Sequence, residues 1–206
     1  MRFTRLAVAT AGLATAGFAL SSSAATAPGP KTLSYTDAAG DALGSGASND
    51  ITKVTFTTKG TTTKVGKAMK YTPKYLVVSM TLAAAPGSTA GLDYEVDADL
   101  EGCGSANFTY TPGSTTEGGL FTECGSPDNP TTGTSTLYSV SPAVEGNTIT
   151  WTFGLKELSP EFKVGATFSG IGAFTVQNDP VFGIIGPGVV GADYDTADTD
   201  STYKIG

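Results

Sequence analysis

The run KYLVVSMTLA, Lys74 to Ala83, reads as a strand with two apolar faces. Successive side chains of a strand point to opposite sides, so Leu76, Val78, Met80 and Leu82 share one face. Tyr75, Val77, Ser79 and Thr81 share the other. A strand that is apolar on both sides belongs in the middle of a covered sheet. The run NTITWTFGL, Asn147 to Leu155, alternates more cleanly, with Ile149, Trp151, Phe153 and Leu155 opposite Thr148, Thr150 and Thr152. Asp50 to Thr58 (DITKVTFTT) is an earlier long strand, and Ala166 to Gln177 a later one, with Phe168, Phe174 and Val176 expected to face inward. Turns rich in Gly, Ser and Thr separate these runs, and no long stretch carries a helical period. The fold class is therefore all-β, an antiparallel two-sheet β-sandwich with at most one short helical turn. That turn is LKELSPEF, Leu155 to Phe162, expected to stop at Pro160. Thr111 to Thr136 reads as a long loop or a weakly paired hairpin. The acidic tail from Gly191 ends in STYKI, a candidate last strand.

The first 25 residues have the order of a secretory signal: Arg2 and Arg5, then apolar Leu6 to Leu20, then small residues to Ala25. Residues 26–206 are then a single β-sandwich domain, exported to the extracellular space. Without Arg2 and Arg5 the chain keeps 10 lysines against 19 acids, a net charge of −9. An acidic chain without arginine is a poor partner for nucleic acid and for an anionic membrane. Cys103 and Cys124 are the only cysteines, and an even count in an exported chain reads as one disulfide. The absence of histidine removes His-based triads and His-ligated zinc or haem.

Acids cluster in three places. In SYTDAAGDALGSGASNDITKVTF, Ser34 to Phe56, Asp37, Asp41, Asn49 and Asp50 surround a glycine-rich loop. Clustered hard oxygens on a loop suit calcium. The same residues also serve as ordinary turn formers. A second group, Asp93, Glu95, Asp97, Asp99 and Glu101, lies on one face of the strand LDYEVDADLE. It reads either as a solvated face paired with Lys64, Lys67, Lys70 and Lys74, or as a source of general acid and base. The third group, Asp193, Asp195, Asp198 and Asp200, is either a solvated tail or further cation ligands. If the first and last strands meet, Asp195 and Asp198 complete the set begun at Asp37 and Asp41.

The order TDAAGDA, NDITKVTF, KYLVVSMTLA, LDYEVDAD and DYDTAD resembles a group of exported bacterial β-sandwich proteins similar to DOMON-like domains and family 9 carbohydrate-binding modules. The matching positions are Asp37, Gly40, Asp41, Asp50 and Ile51, then Asp97 and Asp99. The resemblance implies a jelly-roll-like sandwich and a calcium ion at the opening loop. It also implies a polysaccharide or a haem as ligand. Haem in that group is held by Met and His, and this chain has no His. A sugar needs an aromatic platform; Trp151 reads as core, which leaves Phe108, Tyr110 and Tyr138 as candidates. The expected function is a secreted, non-catalytic module with a structural calcium and a polysaccharide or cell-surface partner. The alternatives are a carboxylate-dependent extracellular hydrolase and a structural envelope protein without small ligand.

Overall fold

A computed structural model of the chain describes residues 29–42, 46–88, 92–113, 118–126, 129–177 and 192–206. The expected signal segment lies outside the described residues.

Two antiparallel sheets face each other. The first holds β1 (Thr32–Thr36), β2 (Ile51–Val65), β3 (Ala68–Leu82), β8 (Ala143–Glu145) and β9 (Thr148–Gly154), in the order β1-β2-β3-β9-β8. The second holds β4 (Leu92–Leu100), β5 (Gly104–Tyr110), β6 (Gly118–Ser126), β7 (Asn129–Ser139), β10 (Thr167–Gln177) and β11 (Ala192–Thr199), in the order β11-β10-β4-β5-β6-β7. A short β12 (Tyr203–Lys204) pairs with the start of β10. The connections β3 to β4 and β9 to β10 both pass from the first sheet to the second. β9 lies beside β3 and β10 beside β4.

The period-2 reading holds where strands are regular. Leu76, Val78, Met80 and Leu82 are wholly buried, and so are Ile149 and Trp151. β3 sits between β2 and β9, as a strand apolar on both faces should. From the second sheet, Leu92, Tyr94, Val96, Ala98 and Leu100 turn inward to meet them. Phe56 on β2 packs edge-on against Phe108 on β5, with centroids 5.9 Å apart, and against Phe168 on β10 at 5.5 Å. Trp151 spans the layers, its Nε1 donating to the carbonyl of Thr109 on β5 at 2.8 Å.

Two local expectations are corrected, and a third is decided between its alternatives. On β10 the pairing register to β4 slips between Ser169 and Gly172. Gly170 adopts a positive φ of 55° there. The extra residue reverses the alternation, so Ile171, Ala173 and Thr175 face the core while Phe174 and Val176 are only half-buried. The helical turn is a 3-10 turn over Pro160–Phe162; it begins at Pro160 instead of ending there. Proline suits a first helical position, where its missing N–H costs nothing. For Thr111 to Thr136 the hairpin is the alternative that holds: β6 pairs antiparallel with β7, and β5 flanks it on the other side.

Cys103, in the turn after β4, is bonded to Cys124 on β6. Cys124 lies opposite Gly104 in the β5–β6 ladder, so the bond reinforces a neighbouring pair of strands. Among the described residues no helix is long and apolar enough to cross a membrane.

Candidate metal centre

The site forms where the opening loop of the first sheet meets an edge of the second. β1 ends at Thr36, and Asp37 follows with its N–H bonded to the carbonyl of Thr52 at 3.1 Å. The chain then turns through Gly40 (φ 93°), a conformation that L side chains rarely adopt. It returns through residues 46–50 to enter β2. This return is held from three directions. The N–H groups of Ala83 and Ala84, beyond β3, bond the carbonyls of Asp50 and Ala47 at 2.8 Å each. Tyr94 on β4 donates its hydroxyl to the carbonyl of Ser48 at 3.1 Å while accepting from the N–H of Gly87 at 2.7 Å. Burial pushes the Tyr94 phenol up to about 12, which keeps it a donor. Thr175 on β10, fully buried, donates to the carbonyl of Asn49 at 2.7 Å.

Onto this scaffold three carboxylates converge. One oxygen each of Asp37, Asp41 and Asp195 lie within 4.8 Å of one another. Asp195 comes from β11, and it fastens the sheets together: one oxygen accepts the N–H of Ile51 at 2.5 Å and the other the N–H of Thr196 at 2.9 Å. Asp50 is 4% exposed; one oxygen accepts the N–H of Gly40 at 2.6 Å and so closes the loop. Its Oδ1 is buried without a hydrogen-bond partner, as is Oδ2 of Asp37.

The electrostatics follow from this crowding. Desolvation raises the proton affinity of Asp37, and the charges of Asp41, Asp50 and Asp198 add to it against the Ala38 N–H. Asp195 is likewise raised, by desolvation first and then by Asp37 and Asp41, against the two N–H groups it accepts. Tyr35 on β1 is raised by burial and by Asp198 and Asp37, and its hydroxyl is buried without a hydrogen-bond partner. Carboxylates held this close resist simultaneous ionisation unless a proton or a cation is shared between them.

Of the six residues singled out in the sequence, Asp37, Asp41 and Asp195 form the cluster. Asp50 adjoins it and shapes the loop. Asn49 is buried and acts through its backbone, with its side-chain oxygen accepting from Ser48 at 3.3 Å. Asp198 is exposed on β11, near enough to act on Asp37 and Tyr35 but outside the trio. The side chain of Asp193 lies outside the described residues. Sequence reasoning missed Tyr35, Tyr94 and Thr175. The alternation in Thr32–Thr36 (TLSYT) was a signal for β1 and hence for Tyr35; nothing local marks the other two.

The second acid group has different neighbours from those expected. β4 pairs with β5 and β10, whereas Lys64, Lys67, Lys70 and Lys74 lie on the β2–β3 hairpin of the other sheet. Burial raises the proton affinity of Asp93 and Asp97. The hydroxyl of Thr111 donates to Asp93 at 2.5 Å, and Asn107 hydrogen-bonds Asp97. The expected aromatic platforms are also redirected. Phe108 is wholly buried, and Tyr110 stacks on Tyr94 at 5.9 Å. Tyr138 accepts the N–H of Ser159 at 2.9 Å and packs against Phe162. Comparison with protein-family models, curated proteins and solved structures finds no match to this chain.

Proposed function

We propose that this chain is an exported, non-catalytic β-sandwich module whose two sheets are clipped together by a calcium ion at Asp37, Asp41 and Asp195. One observation carries the reading: three carboxylates converge while two buried oxygens beside them, on Asp37 and Asp50, have no hydrogen bond. Calcium–oxygen bonds of about 2.3–2.6 Å put opposed ligands roughly 5 Å apart, which suits this spacing. A loop able to turn carbonyls inward suits calcium better than magnesium, which demands stricter octahedral geometry. The ion would offset the mutual repulsion of the acids and join the β1–β2 loop to β11.

On this reading the short motifs around Asp37, Asp41, Asp50, Asp97 and Asp99, which resemble those of DOMON-like domains and family 9 carbohydrate-binding modules, belong to a binding module. Its ligand class on this reading is an extracellular polysaccharide, for which Tyr75, 47% exposed, offers a ring. A hydrolase built on β4 is less well supported. Its acids project side by side from one strand, whereas a pair that cleaves a glycoside reaches the bond from opposite sides.

The test is a melting curve with calcium and with chelator. At a hundredfold excess over its dissociation constant, calcium should stabilise the fold by ~2.7 kcal/mol. That corresponds to a rise of several degrees. Equal melting temperatures under both conditions would remove the calcium.

A further inference from the structure

We propose that the outer half of the β2–β3 hairpin is an arm that docks onto an anionic lipid surface. From Ile51 to Leu92 the chain has six lysines and no acid; all six lie on the β2–β3 hairpin, and five of them, Lys59, Lys64, Lys67, Lys70 and Lys74, on its outer half. Beyond residue 25, the rest of the chain holds five lysines against 19 acids. A net charge of −9 therefore averages over a molecule that segregates its charge. The averaged value argues against an anionic surface; the distribution supplies one site that fits it.

The geometry separates the two parts. β1 pairs with β2 only as far as Thr57, and β9 with β3 only from Tyr75. Outward from there the ribbon has no third strand, and every residue from Lys59 to Lys70 is exposed. Six or seven residues per strand carry the tip about 20 Å from the last three-stranded pairing. That is more than twice the Debye length of ~8 Å at physiological salt, so the tip is screened from the acidic body.

The tip selects the partner. Around the turn at Gly66 and Lys67, Val65 is 58% exposed and Met69 46% exposed. Lys64 stands opposite Met69, and Val65 opposite Ala68. Adjacent pairs alternate faces, so Val65 and Met69 leave opposite sides of the ribbon and meet a bilayer together only when the tip enters end-on: the two apolar groups then reach the headgroup boundary and the lysines behind and between them meet anionic headgroups. Lysines on free strand edges also block strand addition. Neither that role nor a soluble polyanion nor the acidic body of a second copy accounts for exposed Val65 and Met69.

The experiment is co-sedimentation of the protein with vesicles of phosphatidylcholine alone and of phosphatidylcholine with phosphatidylglycerol, calcium being held constant. Binding is expected only to the anionic vesicles, and it should weaken with added salt. The Lys64→Gln/Lys67→Gln/Lys70→Gln variant should bind roughly 100-fold less, about fivefold per lysine. Val65→Ser/Met69→Ser should also bind less, and both variants should melt as the parent does because the arm is solvent-exposed. The proposal is overturned by no binding to anionic vesicles, or by lysine-dependent binding that ignores Val65 and Met69. Lysine-dependent self-association without vesicle binding would overturn it too. None of these readouts uses the Asp37, Asp41 and Asp195 cluster, so this test and the calcium test fail separately.

Discussion

A carboxylate oxygen of Asp195 accepts the backbone N–H of Ile51 across a sequence separation of 144 residues. The contact joins the edge strand of one sheet to the first residue of the second strand in the other. It also fixes the height of β11 against the β1–β2 loop, where Asp37 and Asp41 wait.

Replacing Asp195 by Ala should therefore cost more than a surface change. A hydrogen bond to a charged group contributes about 1.5–3 kcal/mol, and the variant loses it while leaving the Ile51 N–H with no acceptor. The calcium-dependent rise in melting temperature should disappear as well. Asp200→Ala, on the exposed end beyond β11, serves as the control and should retain both. Denaturant unfolding in calcium and in chelator checks the two effects; an Asp195→Ala protein that still responds fully to calcium would show that the ion lies elsewhere.

Acid should stabilise the calcium-free protein. Asp37 and Asp195 have folded-state proton affinities raised above the ordinary carboxylate value, so the folded chain binds more protons than the unfolded chain in that window. Stability then rises as pH falls through the folded values toward about 4, the unfolded value. Asp93 and Asp97 act in the same direction; Glu161, an opposing case, is lowered mainly by its hydrogen bond to Ser159. The calcium effect has the opposite sign, because the ion needs ionised oxygens and is displaced by protons. Melting curves in chelator from neutral pH down to about 4 should climb, while the calcium increment shrinks. A chelated protein that loses stability steadily over that range would contradict the raised proton affinities.

Trp151 bridges the layers and is wholly buried, so its role is structural. Trp151→Phe keeps an aromatic ring but removes the donor to the Thr109 carbonyl, at a cost of about 1–3 kcal/mol. The parent's emission should be blue and should stay unchanged when a polysaccharide is added. A ligand-induced shift of that single fluorophore would place a binding surface against β9.

The sandwich was legible because its evidence is local. Side chains alternate along a strand, so the core faces of β3 and β9 follow from spacing alone. The same rule misassigned Phe174 and Val176 because one bulged residue reverses every side chain after it; Gly170, a glycine inside the strand pattern, was the local signal of that bulge, but period-2 counting alone does not use it. The site was legible in part. The residue types that suit a hard cation could be marked on the loop and the tail, yet the same acids are ordinary turn formers.

By itself the sequence determined the inward faces of the regular strands β3, β4 and β9, where the acids cluster along the chain, and that any disulfide must pair Cys103 with Cys124, since only two cysteines exist. Tertiary structure alone decided that β11 lies against the opening of β2, that Asp198 stands apart while Asp195 joins the cluster, and that the lysines stand out on an arm instead of pairing with β4. The physical reason is that hydrophobic alternation fixes which face of a strand is buried but not which strand it lies beside. Sheet order is set by loop lengths and by the packing of whole faces, and those interactions are spread over the entire chain.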